Sequence, residues 1–324
     1  MKKALIAAAV GGLFSGSAIA QVTVYGTIDA SFAQIKTGST SVTAQGQGDY
    51  FGSSVLGFSG SEDLGGGLKA SFQLEGDLNV ANGTGDGGEN SNTTATTNAT
   101  GGLTFDRQSW VGISGAFGQV RVGRIADFAD ATYNGYGQAG VNLFDQDSSL
   151  GSKFPNSIEY STKVMGLDLV TSYSNDTAAV AAGTGQAASS SLVGVGGSVQ
   201  GINYRVSYIE QGASSEMMVA LKTMVAGAEV GVLINSADRA AGLRTSNSSV
   251  GVIYPIAKDT NLRANYLVYN NNTTATSKYN FAGVFVDKNF SKRTAIFAGY
   301  GKKDVNNGTT SDVTTTTIGV QHKF

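Results

Sequence analysis

Apolar and polar residues alternate with a period of two along most of this chain, and that pattern decides the fold class. Leu68, Ala70, Phe72 and Leu74 alternate with Lys69, Ser71, Gln73 and Glu75. Ile202, Tyr204, Val206 and Tyr208 alternate with Asn203, Arg205 and Ser207. Val230, Val232 and Ile234 face away from Glu229, Gly231 and Leu233, and Leu262, Ala264 and Tyr266 face away from Arg263 and Asn265. The final residues do the same: Ile318, Val320, His322 and Phe324 share one face, and Thr317, Gly319, Gln321 and Lys323 the other. Each run is a strand with one oily and one polar face. Proline interrupts sheet ladders, so a chain of 324 residues with only Pro155 and Pro255 can be mostly strand.

The connections alternate between short and long. Short turns fall at 62–67, 116–118, 164–166, 200–201, 225–226, 256–260 and 288–292. Long polar links fall near 37–49, 79–103, 127–154, 176–190, 211–215, 236–246, 270–277 and 303–312. They separate sixteen strands, expected to begin near 22, 51, 68, 105, 119, 156, 167, 191, 202, 216, 227, 247, 261, 278, 293 and 313.

An even number of antiparallel strands, with short turns on one rim and long loops on the other, is the pattern of a membrane-spanning β-barrel. In hydrocarbon every backbone N–H and C=O must be paired, so a sheet can span only by closing on itself. Closure requires the last strand to pair with the first. Apolar side chains then face lipid, polar ones face inward, and sixteen strands enclose water. Alternation alone also suits a soluble β-sandwich. The loop alternation and the terminal aromatic favour the barrel.

Residues 1–20 read as a secretory signal: Lys2 and Lys3, then an apolar run from Ala4 to Phe14, then Ala18-Ile19-Ala20 as the cleavage site. The barrel is expected to occupy 21–324. Without Lys2 and Lys3, acidic residues exceed basic ones by four, which argues against nucleic acid as a partner. The absence of cysteine excludes disulfides and thiolate chemistry.

Several segments resemble the general diffusion porins of Gram-negative outer membranes, the trimeric sixteen-stranded type. Val22-Thr23-Val24-Tyr25-Gly26 resembles the family's opening strand, and the run from Gly57 to Ala70 its second-to-third-strand hairpin. Phe105 to Gly112, Phe117 to Arg124 and Asn156 to Tyr160 resemble its fourth, fifth and sixth strands. Gly319 to Phe324 resembles its terminal strand, whose last aromatic is an insertion signal for the barrel-assembly machinery.

The resemblance implies an outer-membrane homotrimer, in contact with lipid bilayer and lipopolysaccharide, that passes ions and small hydrophilic solutes passively. It implies a third loop folded into the lumen, with acids facing wall bases. Arg107 and Lys153 fall at two of the family's basic positions, and Asp127, Asp130, Asp145 and Asp147 are the loop acids. Val55 and Ser59 stand where the family has further bases, so the basic wall is thinner here and weak ion selectivity is expected. Arg124 shares the parity of the outward Val120 and Val122, and a lipid-facing arginine would cost ~2–4 kcal/mol. The resemblance places it at the trimer interface, opposite an acid of a neighbour's second loop, where this chain has Asp86 and Glu89. A local bulge turning Arg124 inward is the alternative.

An outer-membrane barrel enzyme is disfavoured. General-base catalysis most often uses histidine, and the one histidine, His322, lies on the apolar face of the last strand. No cofactor is expected, and no metal site either. Gly194-Val195-Gly196-Gly197 superficially suggests a nucleotide loop, but no helix follows it. A substrate-selective channel remains the main alternative. Tyr133, Tyr136 and Phe144 of the third loop read more simply as packing against the wall.

Overall fold

The computed structural model describes residues 21–45, 50–85, 102–137, 139, 150, 153–175, 189–239, 242–271, 278–305 and 311–324. Its strands, in chain order, are β1 (Gln21–Thr37), β2 (Thr40–Gln45), β3 (Val55–Gly65), β4 (Leu68–Asp77), β5 (Gln108–Gly115) and β6 (Gly118–Ala126). After one helix, α1 (Phe128–Tyr136), come β7 (Lys153–Val164), β8 (Leu167–Ser174), β9 (Ser190–Val199), β10 (Ile202–Gln211), β11 (Ser214–Val225) and β12 (Ala228–Arg239). The chain finishes with β13 (Leu243–Ala257), β14 (Thr260–Asn271), β15 (Tyr279–Asn289), β16 (Thr294–Val305) and β17 (Val313–Lys323).

From β3 onward each strand pairs antiparallel with the next, and β17 returns to β1 over Thr27↔Lys323 to Thr37↔Val313. Phe324 extends this seam by exchanging two backbone hydrogen bonds with Gly26. The other side of β1 is shared. Its first half pairs with β3 and its second half with β2. The strands β2 and β3 therefore occupy one position in the ring, and the circumference is that of a closed sixteen-stranded antiparallel barrel.

Three expected links are corrected, one of them 236–246, which is largely strand because β12 and β13 pair up to Arg239↔Leu243. The stretch 37–49 is not all loop: Thr40-Ser41-Val42-Thr43 carries β-branched residues, and Gly38-Ser39, with Gly38 at φ 58°, makes the two-residue turn that folds β2 onto β1. The link expected at 211–215 is only Gly212-Ala213, because β10 and β11 pair up to Gln211↔Ser214. Tight turns close the opposite rim, with Met165-Gly166, Gln200-Gly201 and Ala226-Gly227 all at positive φ.

Parity fixes the two faces. On β12, Ile234 is 53% exposed and its neighbour Leu233 is 1% exposed. Val122, Ile158, Val193, Met217, Tyr266 and Ile318 share the outer, exposed face. Asp29, Glu159, Ser207, Asn247, Asp287 and Thr315 are buried on the inner one. This is the reverse of a soluble fold, and its apolar exterior suits hydrocarbon. Leu68 lies on the exterior, not in a dry centre.

The inner face departs from the simple expectation of a polar lining. Leu192, Ile209, Met218, Leu233, Leu267, Phe281, Phe285 and Phe297 all point inward, and none is more than 2% exposed. Apolar side chains in a wet lumen need a cover, and two inward-folded segments supply it.

Candidate pore constriction

The first cover is α1 with its flanking loop, within the link expected at 127–154. Asp127 is the N-cap: its side chain accepts the backbone N–H of Asp130 at 2.7 Å. Helical spacing then puts Phe128, Ala129, Thr132, Tyr133 and Tyr136 on one side. That side meets Leu192, Ile209, Met218, Ala220 and Leu233 of β9 to β12, together with Leu150 and Phe154. Glu216, buried on the wall, accepts the backbone N–H of Leu150 at 2.6 Å, and Asn247 donates to the Tyr133 hydroxyl at 3.2 Å.

Wall glycines set how closely the loop can approach. A Cβ at Gly194 would meet the Phe128 ring, one at Gly231 would overlap the Tyr136 carbonyl oxygen, and one at Gly251 would meet the Ala139 nitrogen. Gly194 and Gly196, which in sequence mimicked a nucleotide loop, form the seat for Phe128. The Arg205 guanidinium lies 4.0 Å over that ring. Burial among these groups pushes the Tyr136 hydroxyl above its ordinary pKa.

The second cover is the segment 50–54, between β2 and β3. Phe51 stacks on Phe297 at 4.9 Å, and Tyr50 and Phe51 pack over Leu267, Phe281 and Phe285. Ser54 holds β1 twice, accepting the N–H of Asp29 at 2.9 Å and donating to its carbonyl at 3.1 Å. The third-loop segment thus covers β9 to β14, and 50–54 covers β14 to β17 and β1.

Among the described residues, the stretch of wall from β3 to β7 that lies outside these covers is charged, while Phe154 of β7 and Val170 of β8 pack with the first cover. Arg107, just before β5, donates through Nε to Glu75 Oε1 at 2.9 Å and through Nη1 to Asp77 Oδ1 at 2.8 Å. Tyr25 donates to the second Glu75 oxygen at 2.8 Å, and Gln73 donates to Tyr25 at 2.7 Å. Beside this group, Arg121 pairs with Glu159 and lies 4.9 Å over the Trp110 ring. The result is a charged crescent facing a loop-covered half.

Of the residues selected from sequence, Arg107 is paired with Asp77 on the wall, and Lys153 is the first residue of β7, opposite Ala126. Asp127 is buried as the cap of α1, and Asp130 is half-buried in its first turn. Asp145, Asp147, Phe144, Asp86 and Glu89 lie outside the described residues. Arg124 sits beside a register shift: Gly123 pairs with Ser157 and Ile125 with Phe154, so Pro155 and Asn156 together oppose it. On the β5 side Arg124 stays opposite Ser109 and donates to the carbonyl oxygen of Asp106. The extra residue of this irregularity lies on β7, and the β5–β6 register is intact.

Sequence reading missed a junction at Arg263. Its Nε meets Asp287 Oδ1 at 2.6 Å, its Nη1 donates to the Ala139 carbonyl at 2.8 Å, and its guanidinium lies 5.0 Å over Phe51. The available signal was β15, where Phe281 and Phe285 oppose Val284 and Val286, making both faces apolar. Among the described residues no three His, Cys, Asp or Glu side chains come together where a metal ion could be held.

Comparison with known proteins agrees with this geometry. The family model described as "Gram-negative porin" matches residues 4–309. Over 127 residues the chain is 43% identical to the outer membrane porin protein 32 of Delftia acidovorans, covering 38% of this chain and 32% of that protein. Over 130 residues it is 38% identical to the major outer membrane protein P.IB of Neisseria meningitidis serogroup B, covering 39% and 34%. The matched stretch thus spans about a third of these relatives' length. The fold is similar to the anion-selective porin from Comamonas acidovorans, with TM-score 0.73, 22% identity, and 94% and 100% of the two chains covered. It is similar also to OmpF of Salmonella typhi, with TM-score 0.68, 12% identity, and 94% and 98% covered.

Proposed function

The chain belongs to the Gram-negative porin family, and on that premise we propose that it is an outer-membrane general diffusion channel for ions and small hydrophilic solutes. The observation that carries this reading is the charged crescent of Glu75, Asp77, Arg107, Arg121 and Glu159 facing the inward-folded α1 inside a closed barrel. Opposed charges at a narrowing orient dipolar solutes as they pass, and no bond needs to be made or broken.

Weak ion selectivity follows from the pairing. Arg107, Arg121 and Arg263 each carry a carboxylate partner, so these three bases offer the path little uncompensated positive charge. A substrate-selective reading would need an exposed aromatic track. Phe281, Phe285 and Phe297 are instead buried beneath Tyr50 and Phe51.

The proposal includes assembly as a homotrimer, removal of residues 1–20 on export, contact with lipopolysaccharide, and Phe324 as the signal read by the barrel-assembly machinery. Liposome swelling tests the function. Uptake of uncharged sugars should fall smoothly with their size and show no saturation. Saturable uptake of one solute class would replace the general channel with a selective one.

A further inference from the structure

The segment 50–54 and the third-loop segment meet at one side chain, and that junction bears on how wide the channel is. Asp287 is fully buried and takes Arg263 Nε at 2.6 Å, Asn261 Nδ2 at 2.9 Å and Asn289 Nδ2 at 3.1 Å. So held, Arg263 reaches the third-loop segment through the Ala139 carbonyl and lies against Phe51 of the other segment. Phe51 is in turn stacked on Phe297, and Ser54 is fixed to Asp29 and accepts, through its carbonyl, the N–H of Leu78 at 2.8 Å.

We infer that residues 50–54 are a second constricting element, and that Arg263 is the positioning residue that locks it to the third-loop segment, so that one arginine sets the aperture through both. The inference rests on the channel reading. Its logic is geometric. Each cover lies on its own apolar patch, and each patch alone would let its cover slide or lift. A guanidinium is planar and has donors in a fixed fork, so it can hold a buried carboxylate with one edge and a carbonyl with another. Its flat face remains for an aromatic ring. Lysine keeps the charge and can still donate, but its compact ammonium has neither the planar fork nor a flat face for the ring.

The test is single-channel recording of the whole protein in planar bilayers, comparing wild type with Arg263→Gln, Arg263→Lys and Phe51→Ala. Arg263→Gln and Phe51→Ala should each raise unit conductance by roughly 1.5-fold or more and add open-channel flicker. Arg263→Lys should give the same larger conductance with wild-type ion selectivity, because it keeps the charge and loses the fork. If Arg263→Lys conducted like wild type, only charge would matter at this position and the locking role would be overturned. Wild-type conductance in Phe51→Ala would overturn the second constriction. Phe51→Ala leaves the Arg263–Asp287 pair in place, so it decides the matter even if Arg263→Gln fails to fold. A silent wild type would overturn the channel reading and this inference with it.

Discussion

Arg107 is bound at once to Glu75 and Asp77, at 2.9 and 2.8 Å, so the most prominent wall base spends its charge on its own wall. The described third-loop acids, Asp127 and Asp130, are not its partners in these contacts. Removing it should therefore expose two carboxylates rather than free an opposing loop. Arg107→Gln should move the reversal potential in a salt gradient toward cations, with a cation-to-anion permeability ratio raised by about 2- to 5-fold. An unchanged or anion-directed reversal potential would mean the pair does not border the solute path.

Gly231 faces the carbonyl oxygen of Tyr136 too closely for any side chain. Gly231→Ala should push the end of α1 off the wall and cost about 1–3 kcal/mol of stability. Heat-modifiability in detergent gels should show the transition at lower temperature. Gly227→Ala, in an open turn at φ 83°, would lower stability only through backbone strain and leave the channel unaltered.

Ile234 and Leu233 are consecutive and face opposite media, at 53% and 1% exposure. Ile234→Arg should cost ~2–4 kcal/mol for a charge near mid-bilayer and slow assembly into lipid vesicles. Ile234→Phe should assemble normally. Equal tolerance of both would contradict the outward assignment.

Asp127 caps α1 rather than presenting its charge to the lumen. Asp127→Asn retains a capping oxygen and should leave conductance near wild type. Asp127→Ala loses the cap, at about 1 kcal/mol, and should make the open channel noisier. If Asn and Ala gave the same shift in ion selectivity, Asp127 would instead be acting as a pore charge.

The proposed role of Arg124 in trimer assembly can be tested directly. With Asp106 as its backbone acceptor it lies on the β5–β6 face shared with Ser109. Arg124→Ala should lower the temperature at which detergent-resistant trimers fall to monomers while leaving each barrel folded. An unchanged trimer transition would confine Arg124 to a local role.

Most of the barrel was legible because period-two alternation and turn chemistry are local. Leu68 through Glu75 gave β4 its faces, and turns such as Met165-Gly166 marked one rim. The strand β2 was hidden by composition, since Thr40 to Gln45 is polar enough to pass for loop until β1 is seen beside it. The charged crescent was half visible. Arg107 was found by its family position, but its partners Glu75 and Asp77 reach it only through the β4–β5 ladder. The Arg263 junction joins residues 51, 139, 263 and 287 across three separate parts of the chain. No spacing in one dimension encodes such a meeting; it exists only once closure has put β14 and β15 behind both covers.

The central claim is an open, water-filled path through a sealed cylinder. Single-channel recording of the purified wild-type protein in a planar bilayer tests it most directly. Discrete conductance steps are expected, linear in voltage at low field and scaling with salt concentration, with weak preference for either ion. Correctly folded, heat-modifiable protein that inserts and carries no current would contradict it.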